Sequence, residues 1–561
     1  MQKFAELKYE RPDFDQLEVM VKEYIEGLKN AKSYDELREL YLEHAKKEGE
    51  VGTMITIASI RNTVNTKDEF YDGEMSYVHQ RMPKIGIIEK EADKVILESP
   101  FLEEFRAEFG DLLVKKMEYG LMLSSEAIVP NMIEESKLTQ EYSKASASCT
   151  TMFRGEECNF SKLLKYMQST DRETRKEAFE AWADLYAKIA PDLDAVYDKL
   201  IATRIDMAKK LGFEDYTTMQ YLRRGRYDYK AEDVANFRKQ VKEVIVPVCE
   251  KLYEAQKERL GVDKLYYYDE KLLFPEGNAT PIGDREYLVK QAHEMYKDLS
   301  PETAEFFDFM TTYEMFDLEN KPGKRMGGYC TFLPSYKAPF IFSNFNGTSA
   351  DVDVLTHEAG HAFESYTACK TQPLRSMIFS TSEINEIHSM AMEHFAYPYM
   401  DKFFGDKTKE YLYAHLAEAL EVIPYMVCVD EFQHRVYEKP DMTAKERYSV
   451  WREIEKYYMP WRDYGGHEFM EEGGFWMQKQ HIFLYPFYYI DYALAQICAF
   501  ELYGKMKQDT KAAWADYYRL CQAGGSKGYF ELLKIANLSN PFESGTVEKV
   551  IASIAEELLG E

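Results

Sequence analysis

The stretch THEAGHAFE at residues 356–364 places two histidines four positions apart in an apolar setting. On a helix this spacing puts His357 and His361 on one face, one turn apart. Two imidazoles arranged in this way can bind one Zn²⁺ ion. Glu358 lies one step further around the helix, where a general base for hydrolysis must be. The stretch therefore predicts a metal-binding helix with an acid beside the metal.

The alternative is a chance match on a solvated helix. In a chain with 11 histidines, roughly 0.02 chance occurrences of this pattern are expected. The flanking residues indicate a buried helix, in which histidines and acids require partners. A start signal at Thr348 or Ser349 precedes the helix. The apolar flanking residues are Val354, Leu355, Ala359, Ala362 and Phe363.

A zinc site needs a third protein ligand, and a catalytic site keeps a fourth position open. The next predicted helix begins near Thr381 and offers Glu383, Glu386, His388 and Glu393. Glu386 and Glu393 are seven positions apart and share a helical face, whereas His388 points elsewhere. Spacing alone leaves Glu383 and Glu386 both open as the third ligand.

Most of the remaining chain has helical periodicity, and the predicted fold class is mainly α with a small β element. Ser33 with Glu36, and Thr170 with Glu173, have the pattern of capping boxes that open helices. A coil-rich N-terminal third is the alternative interpretation. Helices are predicted over 14–31, 33–48, 231–260, 409–437, 444–458 and 547–559.

Strand patterns are sparse. Residues 328–333 and 338–344 predict two strands joined by a turn, and residues 265–274 predict a further short extended piece. An irregular stretch at 148–160 suggests a boundary between an N-terminal helical region, 1–150, and a catalytic region, 151–561.

Composition limits the partners of the protein. The 561 residues carry a net charge of −27, which argues against nucleic acid and against an anionic membrane surface as partners. Small molecules and peptides remain. The N-terminal sequence MQKFAELK has no apolar signal core, so we expect a cytoplasmic protein. The eight cysteines are scattered without a CxxC pair, which is typical of reduced thiols in a core.

Four blocks of sequence, all in the C-terminal half, together carry a family resemblance. The chain resembles the thimet-oligopeptidase-like zinc peptidases, and most closely the bacterial oligoendopeptidase F and Pz-peptidase branch. The blocks are residues 327–347, 353–361, 386–395 and 481–492.

This resemblance implies a zinc endopeptidase that hydrolyses internal bonds of short oligopeptides, collagen-derived peptides among them. It implies one Zn²⁺ per chain bound by His357, His361 and Glu386, with Glu358 as the general base. It also implies a helical shell of two halves around a deep channel that selects oligopeptides by size.

Two further acids are implied to support the zinc ligands. Asp353 lies one turn before His357, and its carboxylate would orient a ligand imidazole. The alternative is an acid favoured by the N-terminal helix dipole. Glu393 is the other supporting acid by resemblance, and a plain buried or solvated glutamate is its alternative.

An aromatic segment supplies the remaining predicted site residues. Tyr485, Tyr489 and Tyr492 recur at helical spacing after His481, which predicts one row on a helix. An aromatic core stripe is the simpler interpretation. By resemblance these groups donate hydrogen bonds to the oxyanion of the reaction, with Tyr492 and Tyr489 ranked first.

The strand that begins at Gly328 and Tyr329 is predicted to bind the substrate backbone. An extended peptide adds to an exposed strand edge, and glycine allows close approach. One rival function is a metallocarboxypeptidase or dipeptidyl carboxypeptidase on a similar helical scaffold, which would need a basic residue for the substrate carboxylate. Another rival is a non-catalytic peptide-binding protein, which would contain no stoichiometric zinc.

Overall fold

The computed structural model describes residues 1–560 and contains two compact units, each built from three segments of the chain. The first unit comprises Met1–Ser124, Thr280–Thr408 and Glu501–Ser539. The second comprises Ser125–Ala279, Lys409–Phe500 and the segment from Asn540 onward. Both units take segments from the predicted regions 1–150 and 151–561, so the units and those regions do not coincide.

The described residues are mainly helical, and the predicted fold class is confirmed. The helices in chain order are α1 Phe14–Asn30, α2 Tyr34–Val64, α3 Glu69–Leu97, α4 Leu102–Phe109, α5 Asp111–Met122, α6 Val129–Ser148, α7 Phe160–Tyr166, α8 Arg172–Lys210, α9 Tyr216–Arg223, α10 Ala231–Gln240, α11 Val246–Leu260, α12 Arg285–Leu299, α13 Pro301–Thr312, α14 Ala350–Thr371, α15 Ser382–Phe395, α16 Asp401–Phe404, α17 Thr408–Glu421, α18 Ile423–Glu438, α19 Ala444–Tyr458, α20 Glu468–Glu472, α21 Gln480–Leu484, α22 Ile490–Gln508, α23 Thr510–Ala523, α24 Tyr529–Ile535 and α25 Thr546–Leu559. The strands are β1 Thr151–Phe153, β2 Glu156–Cys158, β3 Phe316–Glu319, β4 Tyr329–Leu333 and β5 Ala338–Phe345.

The N-terminal helices α1 to α5 form a hydrophobic core within the first unit. Ser33 caps α2, since its hydroxyl accepts a hydrogen bond from the backbone N–H of Glu36 at 3.3 Å. The helix runs to Val64, well beyond the predicted end at residue 48. The coil-rich alternative for this region is therefore wrong. Residues at the centre of this core include Val21, Leu37, Phe105 and Val114.

Several predicted boundaries are corrected by local hydrogen bonding. The helix expected to open at Thr170 instead has Asp171 as its cap, whose carboxylate accepts from the N–H of Thr174 at 3.0 Å. The single helix predicted over 409–437 is two helices, α17 and α18. Pro424, near the start of α18, has no N–H to donate and so suits a helix start.

The helix predicted over 231–260 is continuous but contains a π-helical turn at Val241–Ile245 between α10 and α11. The extended piece predicted over 265–274 is wrong, because the described backbone there contains the 3₁₀ turn Tyr267–Asp269 and no strand. The irregular stretch at 148–160 contains the antiparallel pair β1–β2. Arg154 and Gly155 have φ values of 49° and 87° in its tight turn.

A three-stranded sheet in the first unit packs against α14. The two predicted strands are β4 and β5, which pair antiparallel from Tyr329 opposite Phe342 to Leu333 opposite Ala338. Strand β3, which pairs parallel with β5, has no counterpart among the predicted strands. The strand order β3–β5–β4 places β4 at an edge.

One helical stretch, Asp401–Glu438, is long and apolar enough by composition to cross a membrane, and 56% of its most apolar window is buried within the protein. Core helices of globular proteins share these properties. The eight cysteines are free thiols, and all but Cys330 are buried, as the sequence predicts.

Candidate metal centre

The helix α14 carries His357, Glu358 and His361. It begins at Ala350, directly after the predicted start signal, although the side chain of Ser349 forms no capping hydrogen bond. The carboxylate of Asp351 instead accepts hydrogen bonds from the N–H groups of Asn346 at 2.9 Å and Gly347 at 2.7 Å. Asp351 therefore fixes the turn between β5 and α14, a role that sequence analysis missed.

The helices α14 and α15 approach very closely at Gly360. A Cβ atom at this position would lie 2.5 Å from the carbonyl oxygen of His388 and 2.6 Å from Cα of Ser389. Both neighbouring atoms belong to the backbone, so neither can rotate away. Only glycine permits this separation of the two helices.

Three side chains converge at this crossing. Nε2 of His357 and Nε2 of His361 each lie 3.4 Å from the same oxygen, Oε2 of Glu386. The two imidazole rings are nearly perpendicular, at 83°, with centroids 5.1 Å apart. One ligand atom from each of the three residues lies within 4.8 Å of the other two. Two imidazole nitrogens and one carboxylate oxygen form a donor set that fits Zn²⁺ and leaves a fourth position open.

The two alternatives for the third ligand differ in position. Glu386 lies close to both imidazoles. Within residues 1–560, Glu383 is not one of the residues whose ligand atoms converge with those of His357 and His361. Glu383 is buried on α15, one turn before Glu386. The geometry favours Glu386.

Glu393 and Ser389, both on α15, contact the candidate ligands. Oε1 of Glu393 lies 2.5 Å from Nδ1 of His357, the ring nitrogen that points away from Glu386. A carboxylate in this position sets the tautomer and orientation of an imidazole ligand. The Ser389 hydroxyl donates a hydrogen bond to Oε2 of Glu386 at 2.9 Å. Ser389 is not among the predicted site residues, because its contact with Glu386 depends on the helix crossing.

Asp353 lies one turn before His357 in the partly buried first turns of α14. The contact predicted for such an acid, to the second nitrogen of a ligand imidazole, is made on His357 by Glu393. The supporting role of Asp353 stays a prediction.

Two carboxylates in this group have pKa values shifted in opposite directions. Burial raises the pKa of Glu358 and outweighs the opposing effect of the His357 and His361 imidazoles. Burial acts on Glu386 as well, but His361 and His357 outweigh it and hold the pKa of Glu386 below its ordinary value. Glu386 is therefore suited to remain an anionic ligand, and Glu358 to exchange a proton.

The edge strand β4 approaches the Glu358 carboxylate at Gly328. A Cβ atom on Gly328 would lie 3.4 Å from Oε1 of Glu358. The side chain of Tyr329 is engaged elsewhere, because its hydroxyl lies 2.6 Å from Oγ1 of Thr63 and its ring stacks on Phe342. If Tyr329 contacts substrate, it does so with its main chain.

The predicted helical row of tyrosines is wrong. Helix α21 ends at Leu484 and α22 begins at Ile490. Tyr485 and Tyr489 lie in the turn between these helices, where Phe487 has a φ of 61°, and Tyr492 lies in α22. The residue that breaks the helical row is Pro486, which disfavours the helical conformation for the residue before it.

The aromatic side chains of this segment nevertheless cluster around His481, within the second unit. Ring centroids lie 4.9 Å away for Tyr489, 6.1 Å for Tyr485 and 6.4 Å for Tyr492. Tyr488, which was not among the predicted site residues, stacks on His481 at 5.7 Å and 11°.

His481 is held neutral in this cluster, because burial lowers its pKa to about 3. Its Nδ1 is buried and has no hydrogen-bond partner among the described residues. The Lys479 ammonium donates to the hydroxyl of Tyr489 at 3.0 Å. Tyr485 is half exposed. The cluster thus combines a core-like stack with hydroxyl groups at its margin.

Comparison with known protein families gives two matches. Residues 4–123 match the peptidase M3 N-terminal domain, and residues 165–276 and 291–550 match peptidase family M3. Together these ranges include every predicted site residue.

Individual relatives point to the same family. The chain is 23% identical to oligopeptidase PepF of Bacillus subtilis over 557 residues, which cover 92% of this chain and 80% of that protein. It is 26% identical to an oligoendopeptidase F homolog of Borreliella burgdorferi, over 69% of this chain and 65% of that protein, just under two thirds of its length. The solved structure of Pz peptidase A with an inhibitor matches with a TM-score of 0.94 and 43% identity, covering 100% of this chain and 99% of that one.

The close helix crossing makes a prediction about Gly360. Replacing Gly360 with alanine should force α14 and α15 apart, because the added methyl group meets backbone atoms at 2.5 Å. Overpacking of this kind costs about 1–3 kcal/mol of stability. Urea unfolding would measure that loss, and zinc content would show whether the three side chains still converge.

The matched control is Gly73→Ala, in the interior of α3, where an added Cβ atom meets nothing within 4 Å. This change should leave stability equal or raise it by about 0.5–1 kcal/mol. Equal stability of both alanine variants would contradict the steric account of Gly360.

Proposed function

This chain belongs to peptidase family M3, and on that premise we propose that it is a zinc-dependent endopeptidase hydrolysing internal bonds of short oligopeptides. The observation that carries the proposal is the convergence of His357, His361 and Glu386 beside Glu358. The names of the relatives, which describe oligopeptidases, support peptides as the substrate class. The proposed location is the cytoplasm.

The proposed zinc ligands are Nε2 of His357, Nε2 of His361 and Oε2 of Glu386. A zinc ion bound there would supply Lewis-acid activation of the attacking water and of the scissile carbonyl. Glu393 keeps the His357 ring oriented, and Ser389 keeps the Glu386 carboxylate oriented, through the contacts at 2.5 Å and 2.9 Å.

Glu358 is the proposed general base and acid. It takes a proton from the attacking water and then delivers that proton to the leaving amine. The buried setting that raises its pKa favours both transfers, since the protonated and ionised forms become closer in free energy.

The proposed donors to the oxyanion are the hydroxyls of Tyr492 and Tyr489, with His481 and Tyr485 as further contributors. Their clustering in the second unit supports a common role. The proposed substrate backbone lies along the edge strand β4 at Gly328 and Tyr329, where main-chain hydrogen bonds would hold a peptide independently of its sequence.

The role of Glu358 is tested with Glu358→Gln, which keeps the shape and removes the base. We expect kcat/KM on a quenched peptide to fall by at least about 100-fold while zinc content is unchanged. The matched control is Glu364→Gln on the same helix. Glu364 is buried, and that burial raises the pKa of its carboxyl well above the ordinary value, so a neutral amide of the same shape is a conservative replacement. Full activity in Glu358→Gln would refute the mechanism.

The choice of third ligand is tested by metal content. Glu386→Gln should lose zinc, because the change removes the anionic donor and leaves the two imidazoles as the remaining proposed ligands. Glu383→Gln, a buried carboxyl on the same helix, should retain it. Zinc measured after dialysis against a weak chelator compares the two, and the reverse pattern would overturn the assignment.

The endopeptidase activity is tested with an internally quenched peptide that is acetylated at its N-terminus and amidated at its C-terminus. We expect cleavage at an internal bond, at a rate comparable to that of the same peptide with free ends. A carboxypeptidase or dipeptidyl carboxypeptidase requires the free carboxylate, so cleavage of the unblocked peptide alone would favour that activity instead.

A further inference from the structure

A second histidine, outside the candidate metal centre, is buried without a hydrogen-bond partner. His44 on α2 is only 8% exposed, and its ring stacks on Tyr24 with centroids 4.0 Å apart at 8°. Its Nδ1 is buried and has no partner among the described residues. Its Nε2 lies 3.9 Å from Oε1 of Glu89, too far for a hydrogen bond. A ring nitrogen buried in this way, as Nδ1 is, lacks the hydrogen bond that buried polar atoms normally have.

Two carboxylates face this histidine. Glu48 lies one turn after His44 on α2, and Glu89 comes from the neighbouring helix α3. One ligand atom from each of His44, Glu48 and Glu89 lies within 4.8 Å of the other two. These residues therefore form a second convergent group of one nitrogen and two oxygen donors.

The carboxyl groups of Glu48 and Glu89 influence each other's ionisation. Burial, and next the charge of Glu48, raises the pKa of Glu89 to about 8. Lys90 is paired with Asp93 at 2.6 Å. Burial raises the pKa of Glu48 and outweighs a hydrogen bond with Glu89 and the charge of Arg375, both of which lower that pKa. The Glu48 and Glu89 carboxyls also hydrogen-bond to each other, and a bound cation would take the place of the proton between them.

The three residues also lie on the wall of a cavity that is large enough to hold water molecules. His44, Glu48 and Glu89 line a cavity of about 760 Å³ in the first unit, together with Asp93, Lys116 and Arg375. A site with three protein ligands needs room for water molecules that complete the coordination of a metal, and this cavity provides it.

We propose that His44, Glu48 and Glu89 bind one divalent transition-metal ion, such as Zn²⁺, at a site separate from His357, His361 and Glu386. An imidazole with two carboxylates favours such an ion over Mg²⁺ or Ca²⁺, which prefer oxygen ligands alone. The stacked Tyr24 ring holds the imidazole in one orientation. The metal joins α2 to α3 and thereby stabilises the N-terminal helices.

The test is the zinc content of four proteins after equilibration with buffered Zn²⁺. The wild-type chain should hold about two zinc ions, and Glu89→Gln and His357→Ala should each hold about one. Glu89→Gln is nearly isosteric, so it removes an anionic ligand without opening a cavity. His79→Leu is the control, because His79 is an exposed histidine on the same helix α3, and it should retain about two ions.

Thermal unfolding gives a second measurement that does not depend on activity. Added Zn²⁺ should raise the Tm of His357→Ala, in which only the second site remains, and should not raise the Tm of His357→Ala combined with Glu89→Gln. Equal zinc content in wild type and Glu89→Gln would overturn the proposal. Loss of zinc in Glu89→Gln but not in His357→Ala would instead support the second site and refute the proposed catalytic ligands.

Discussion

The close contact between α14 and α15 at Gly360 is the constraint on which the candidate metal centre depends. Because no side chain separates the helices there, the backbone of His388 and Ser389 lies directly against α14. Glu386, Ser389 and Glu393 occupy positions i, i+3 and i+7 of α15, and so share the face that meets α14. Each makes a direct contact at the site: Glu386 with both imidazoles, Ser389 with Glu386, and Glu393 with His357. One crossing thus sets both the distance between the donors and their orientation.

The same burial gives two neighbouring glutamates different chemical characters. Desolvation opposes the ionised form of both Glu358 and Glu386. Glu386 faces two imidazole nitrogens at 3.4 Å, and this attraction keeps it ionised. Glu358, on the helix of those imidazoles, experiences a weaker opposing effect, and its pKa rises. Environments that separate the pKa values of nearby acids are how one site assigns an anionic ligand and a proton carrier.

Sequence periodicity and capping predicted the bounds of α1 and α25 to within one residue, and those of α19 fully. Predictions from local patterns failed where a tertiary contact or a proline determines the backbone conformation. Examples are the break between α17 and α18 and the turn around Pro486. Strand β3 was missed because it has only four residues and pairs with β5, a strand that follows it in the chain only after β4.

The candidate site was predictable to the extent that it lies on one helix. His357, Glu358 and His361 follow from spacing, whereas spacing could not separate Glu383 from Glu386. That choice depends on where α15 crosses α14, and the roles of Ser389 and Asp351 depend on the same folded geometry.

The proposed second site, His44 with Glu48 and Glu89, also uses an i, i+4 pair and a carboxylate from a neighbouring helix. Its histidine is followed by Ala45, where His357 is followed by Glu358. No acid follows this histidine as Glu358 follows His357, and Asp93, the further acid of the cavity, is paired with Lys90. We therefore expect a metal bound at His44 to stabilise the fold and the proposed hydrolysis to take place at Glu358.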